Sequence, residues 1–180
     1  MIGTGGVGLN SVQASRLAGA HPIIAVDVLD AKLAMAQRFG ATHGLNGTTQ
    51  DVVAIVKELT AGRGADYVFV TVGHAKAAEQ GFAMLRSRGL MVIVGIPEFG
   101  ATAALLVMGF VQERMVTGST MGSTRLHIDV PRLIALYRNK QLLLDELITA
   151  RVPLERINEA IQHTQGGHAV RNVIIFDRSG

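Results

Sequence analysis

Gly3-Thr4-Gly5-Gly6-Val7-Gly8, with Asp27 nineteen positions after the last glycine, is the stretch on which this 180-residue chain turns. The pattern is G-x-G-x-x-G. The first glycine permits a tight turn from strand to helix. The second lets the backbone approach a pyrophosphate, and the third lets helix and strand pack closely. A helix starting near Gly6 offers free N–H groups and the positive end of its dipole to phosphates. Asp27 ends the strand-like run from His21 to Val26. A carboxylate there accepts hydrogen bonds from ribose hydroxyls and repels a 2′-phosphate, so the reading favours NAD over NADP. Only Met1 and Ile2 precede the first glycine, although a strand of about five residues is expected to lead into such a turn. The first strand is therefore expected to be almost entirely missing, and the chain to be part of a larger enzyme.

The rest of the chain alternates between helix and strand periodicities. Leu9, Val12 and Leu17 line a first helix. A second runs through Lys32, Met35 and Phe39 to a C-cap at Gly40. His43 to Asn46 is a short extended piece, and Thr48-x-x-Asp51 resembles a capping box before Val52, Ile55, Val56 and Leu59. Tyr67 to Val72 reads as a buried strand. Ala75, Ala78, Phe82 and Leu85 mark a helix, Leu90 to Val94 a strand, and Met115 to Gly118 a sixth strand. Short loops between alternating elements predict an α/β, doubly wound parallel sheet with ligand at the carboxyl ends of its strands. Beyond Ser123 the rhythm changes. A helix begins at Asp129 and Pro131, another at Pro153, and Val170 to Phe176 reads as a last strand. The expected division is 1–123 as a dinucleotide-binding domain and 124–180 as a C-terminal tail.

Composition narrows the function classes. Apolar residues make up 48% of the chain and the net charge is only +3, with the bases scattered. Two tyrosines and no tryptophan argue further against nucleic-acid binding. No apolar run approaches the ~18 residues of a membrane span. The chain has no cysteine, which removes disulfides and thiolate metal sites and suits a cytoplasmic protein.

Taken together, several segments resemble the cofactor half and C-terminal tail of zinc-type medium-chain alcohol dehydrogenases. They are Gly3 to Gly8; Val26-Asp27 with Lys32; Phe39 to Thr42; Gly62 to Tyr67; Val92 to Pro97; Gly118 to Ser123; and Pro153 to Ala160. The resemblance implies an NAD-dependent oxidoreductase acting on a small alcohol or aldehyde. It places Val7 against the nicotinamide and Asp27 with Lys32 on the adenosine ribose. It puts Val72 and Gly73 along the adenine and ribose. Val94, Ser119 and Met121 would offer backbone groups to the carboxamide, with Gly95 and Ile96 beside them, and Arg171 would pair with the pyrophosphate. Lys32 reads equally as a solvated helix lysine; an exposed strand residue is the alternative for Arg171, and His74, which follows Gly73 near the adenosine, reads as a surface residue. The hydrophobic positions read equally as core.

In that family a zinc polarises the alcohol oxygen, and its ligands come from the segment before the cofactor fold. No catalytic residue and no metal ligand is therefore expected in this chain; zinc is expected only in the N-terminal domain. The tail would normally pack on that absent domain. Loss of five buried strand side chains, ~2 kcal/mol each, rivals a whole domain's net stability of ~5–15 kcal/mol. The isolated chain is thus expected to be marginal or to associate. The resemblance also implies a homodimer through residues 103–107. Two other readings stand beside the dehydrogenase: a zinc-free quinone or enoyl reductase of the same superfamily, against which Asp27 argues, and a nucleotide-binding module without catalysis.

Overall fold

The computed structural model describes residues 1–176. The chain separates into two compact units, the first spanning Met1–Arg125 and the second beginning at Leu126.

The first unit contains five strands and five helices. Strands β1 (Ile24–Asp27) and β2 (His43–Asn46) pair in parallel. So do β3 (Ala65–Val70), β4 (Leu85–Ile93) and β5 (Met115–Gly118), in that order. The two ribbons are joined by one residue. Ile2 bridges Val26 on one side and Val70 on the other, both in parallel. Its N–H donates to Phe69 O at 2.8 Å, and its carbonyl accepts from Thr71 N at 2.9 Å. Met1 O accepts from Val26 N, and Gly3 N donates to Val26 O, each at 2.8 Å. The parallel α/β sheet is thus continuous through Met1, Ile2 and Gly3.

Helices α1 (Gly6–Leu17), α2 (Asp30–Arg38), α3 (Val52–Leu59) and α4 (Ala75–Met84) cover the strands. Val52 and Val56 of α3, Ala77, Ala78 and Phe82 of α4, and Val26, Val68 and Val70 of the sheet form one connected buried core with Ile2. Leu9, Val12, Ala25, Leu33, Ala36 and Phe39 are also buried, outside that cluster. Alternation along β1, with Ala25 and Val26 in different layers, is what a parallel sheet covered on both faces requires.

Several local expectations are corrected. Leu85, placed on the helix by its spacing from Phe82, has extended φ/ψ and pairs with Ala65; α4 stops at Met84. Leu85 is 1% exposed, so burial in the sheet overrides its helical phase. The capping box is absent: Asp51 is itself the N-cap of α3, accepting from Ala54 N at 3.0 Å, while Thr48 Oγ1 donates to Asn46 Oδ1. The strand predicted from His21 begins only at Ile24, and the strand predicted from Tyr67 to Val72 runs from Ala65 to Val70. Residues 103–106 form no strand; an exposed coil leads instead into the short helix α5 (Val107–Val111).

The second unit holds α6 (Leu126–Arg138), then a parallel pair, β6 (Ile148–Pro153) and β7 (Arg171–Ile175), connected by α7 (Ile157–Gln165). β6 has no counterpart in the sequence reading; half-buried Ile148, Ala150 and Val152 alternate along it with exposed Thr149, Arg151 and Pro153. Asn172 Nδ2 ties β7 to α7 by donating to Ala160 O at 2.8 Å. No residue of α6 is buried.

Two predictions follow from this packing. A Cβ on Gly8 would lie 2.0 Å from Gly3 O, and backbone cannot swing aside as a side-chain tip can. Gly8→Ala should cost at least ~2–3 kcal/mol, measured by urea denaturation. Asp66, in β3, accepts from Arg63 Nη1 at 2.8 Å and from Arg86 Nε. Hydrogen bonds from Arg63 first and Arg86 second hold its carboxyl down at about 2, against an ordinary 3.8. Because the folded value lies below the unfolded one, this pairing supports the fold above pH 3.8 and is lost as pH falls through about 2. NMR titration should show that low value, and Arg63→Gln should raise it.

Candidate functional site

The site lies at the carboxyl ends of β1, β3 and β4, where the turn from Gly3 to Gly5 leads into α1. Gly3 has φ of +90°, a conformation an L side chain rarely adopts, and a Cβ there would meet Val72 Cγ1 at 2.5 Å. Thr71 Oγ1 holds the turn from below, donating toward Gly3 O at 2.9 Å. Gly8 must be glycine for the reason given above. Gly5, the N-cap of α1, differs from both. Its φ is −71°, and nothing lies within 4 Å of where a Cβ would sit. The space beside Gly5 is open.

No side chain caps α1, and no acidic residue stands in its first turn. Leu9 N makes an intrahelical bond to Gly5 O at 2.9 Å. The N–H groups of Gly6, Val7 and Gly8 ahead of it are among those an α-helix leaves unpaired at its start. An uncapped 12-residue helix with a bare glycine at its tip is a suitable anion cradle. Val7 is 55% exposed beside it, so it is a surface hydrophobe and not core.

Asp27, at the end of β1, is buried. Its Oδ2 accepts from Thr4 N at 2.7 Å and from Thr4 Oγ1 at 2.8 Å. Its Oδ1 accepts from Val28 N at 2.8 Å and Leu29 N at 3.2 Å. Four donors from two loops therefore fix the carboxylate against the glycine turn. Lys32, half-buried, follows in the first turn of α2.

The loops after β3 and β4 press against each other. A Cβ on Gly73 would lie 2.1 Å from Ile96 O, and one on Gly95 would lie 2.4 Å from the Val72 carbonyl carbon. Gly3, Val72, Gly73, Gly95 and Ile96 are thus brought into one contiguous wall. A cavity of about 120 Å³ opens beside it, lined in part by Val72, Gly73 and Gly95. His74 also lines it, though the residue is mostly exposed. Val94 N donates to Val70 O, and Ser119 N to Ile93 O at 3.0 Å, which sets Ser119 beside the end of β4. Met121, Gly122 and Ser123 have φ of +50°, +70° and +51°, three consecutive left-handed residues, with Met121 90% exposed. Arg171 starts β7 in the second unit and is exposed.

Two contributors escaped the sequence reading. Thr4 fills an unspecified position of the glycine pattern and Thr71 lies outside it, and their roles depend on hydrogen bonds across 23 and 68 residues of chain. No periodicity signals such a bond. Among the described residues no group of three His, Cys, Asp or Glu side chains is placed to hold a metal ion, and no helix is long and apolar enough to cross a membrane.

This geometry has known counterparts. Residues 6–139 match the family described as zinc-binding dehydrogenases. The chain is 34% identical to an alcohol dehydrogenase class-3 of Cereibacter sphaeroides, over 98% of this chain and 49% of the relative. It is 32% identical to an S-(hydroxymethyl)glutathione dehydrogenase of Paracoccus denitrificans, with the same coverage. Its fold superposes on benzyl alcohol dehydrogenase from Acinetobacter calcoaceticus with a TM-score of 0.93 and 31% identity, covering 98% of this chain and 48% of that one. The chain spans about half the length of the relatives it matches. These relatives are oxidoreductases acting on small molecules. The chain belongs to the zinc-binding dehydrogenase family, the zinc-type medium-chain alcohol dehydrogenases.

Proposed function

We propose that this chain binds NAD(H) and presents its nicotinamide for hydride transfer in the oxidation of a small alcohol or reduction of an aldehyde. The observation that carries the reading is the pairing of an open, uncapped α1 tip at Gly5 with the buried carboxylate of Asp27. The α1 N–H groups and the bare Gly5 backbone suit a pyrophosphate. Asp27, oriented by Thr4, Val28 and Leu29, suits the ribose hydroxyls, and a 2′-phosphate would meet a like charge in a poorly solvated setting. Lys32 belongs to the same ribose side. The wall formed by Val72, Gly73, Gly95 and Ile96 borders the path from ribose to nicotinamide. For the carboxamide, Val94 and Ser119 have their carbonyls to offer, their N–H groups being bonded to Val70 O and Ile93 O, and Met121 has its main chain. The left-handed run at Met121 supports that role, because strained backbone concentrates where a ligand is held.

A bound nicotinamide would supply the hydride acceptor; the residues named here would bind and orient it, with exposed Val7 as an apolar neighbour. Zinc, which gives the family its description, finds no ligand set among the described residues, so no step is assigned to a metal held by this chain. On this reading the Lewis acid and the substrate contacts come from residues outside these 180.

Two measurements test the proposal. Calorimetry should show NAD binding at least tenfold tighter than NADP; equal affinities would remove Asp27 from its role. Gly5→Ala should cost no more than about 1 kcal/mol of stability, the preference for glycine over alanine at a helix N-cap, since its Cβ meets nothing. The same substitution should weaken NAD at least tenfold by crowding the pyrophosphate. Undiminished affinity would show that the α1 tip does not hold it.

A further inference from the structure

The carboxylate of Asp27 is full. An ionised carboxylate offers about four lone-pair positions, two on each oxygen. Oδ2 takes Thr4 N at 2.7 Å and Thr4 Oγ1 at 2.8 Å. Oδ1 takes Val28 N at 2.8 Å and Leu29 N at 3.2 Å. All four positions are thus in use before any ligand arrives. Asp27 nevertheless keeps 9% of its surface exposed, whereas Thr4 is wholly buried. A ligand hydroxyl that donates to this carboxylate must therefore displace one of the four donors.

The four are not equally fixed. Thr4 N belongs to a turn held at both ends: Gly3 N donates to Val26 O at 2.8 Å, and Gly5 O accepts from Leu9 N at 2.9 Å. Val28 N and Leu29 N belong to the short link between β1 and α2. Leu29 is the N-cap of that helix, and its carbonyl accepts from Lys32 N at 3.0 Å and Leu33 N at 3.2 Å. Moving any of these amides moves main chain. The Thr4 Oγ1–H only has to turn about a single bond. From this we infer that the Thr4 hydroxyl is the donor that yields, and that it sets how much a ribose hydroxyl gains by reaching Asp27. Thr4 is then a positioning residue that acts through Asp27, and the inference rests on the NAD reading given above. When a sugar O–H donates to Oδ2, the Thr4 proton leaves it. Burial keeps water from the released O–H, and among the described residues Asp27 is the acceptor that it holds. The exchange replaces one charge-assisted hydrogen bond by another and leaves a buried donor unpaired. That loss is subtracted from the affinity for the nucleotide.

Thr4→Val puts a methyl group where the hydroxyl stands and leaves Oδ2 with one donor. Calorimetry should show this variant binding NAD at least fivefold more tightly than the unsubstituted chain. A threonine whose role was only to hold the turn would lose affinity on substitution. Thr4→Ser, which keeps the hydroxyl, should bind NAD as the unsubstituted chain does. The gain should vanish for an NAD analogue whose adenosine ribose lacks both hydroxyls. In the unsubstituted chain, the buried Thr4 hydroxyl proton followed by NMR should shift on saturation with NAD and stay in place with the dideoxy analogue. That measurement decides the matter where Thr4→Val does not fold. NAD affinity of Thr4→Val equal to or below that of the unsubstituted chain would overturn the inference. So would an unmoved hydroxyl proton, since Leu29 N, the longest of the four bonds, would then be the donor that yields. Failure of the unsubstituted chain to bind NAD would overturn the NAD reading itself, and this inference with it.

Discussion

Ile2 carries the sheet across its middle. It bonds to β3 through both its backbone groups, and with Met1 and Gly3 it ties β3 to β1. Its side chain is 5% exposed, inside the cluster that joins Val26, Val56, Val70 and Phe82. The glycine turn depends on this seam for its position. Gly3 leaves the ladder at its last bond, and Thr71 then holds the turn from the β3 side. Asp27 is brought to the same turn because Gly3 N is bonded to Val26 O, one residue before it. Site geometry is therefore set by three residues of central strand and by the two neighbours that grip them.

Close backbone contact is the second organising constraint. Gly8 against Gly3, Gly73 against Ile96 and Gly95 against Val72 are all contacts in which a single Cβ would overlap main-chain atoms. Each places two loop or helix backbones at the carboxyl ends of the strands closer together than side chains would allow. Gly5 alone among the fingerprint glycines described this way has free space beside it. Packing explains the others and not Gly5, the observation on which the proposed pyrophosphate site rests.

Elements with strong periodicity were readable from the residues. The α1 helix, β1 up to Asp27, α3 and the succession of β3, β4 and β5 along the chain follow from glycine punctuation and runs of apolar residues. The errors fall where tertiary context outweighs local pattern. Leu85 keeps helical spacing yet joins the sheet, because pairing with Ala65 buries it. β6 escapes notice because its alternation is short, with Thr149 and Arg151 separating Ile148, Ala150 and Val152, and β7 beside it gives the segment its partner. Asp27 was identified by its distance from the glycines, but Thr4 was not, since a hydroxyl reaching across 23 residues leaves no trace in a spacing rule.

That hydroxyl changes how Asp27 should be understood. Its carboxylate is a keystone before it is a recognition element, since three amides and a hydroxyl converge on it from the glycine turn and from the start of α2. A neutral or basic side chain at this place would strand those donors in a buried setting, where each orphaned group costs ~1–3 kcal/mol. On the proposed reading, selectivity and architecture are welded together here. Redesigning the pocket for a more anionic guest therefore has to begin by finding new acceptors for Thr4, Val28 and Leu29.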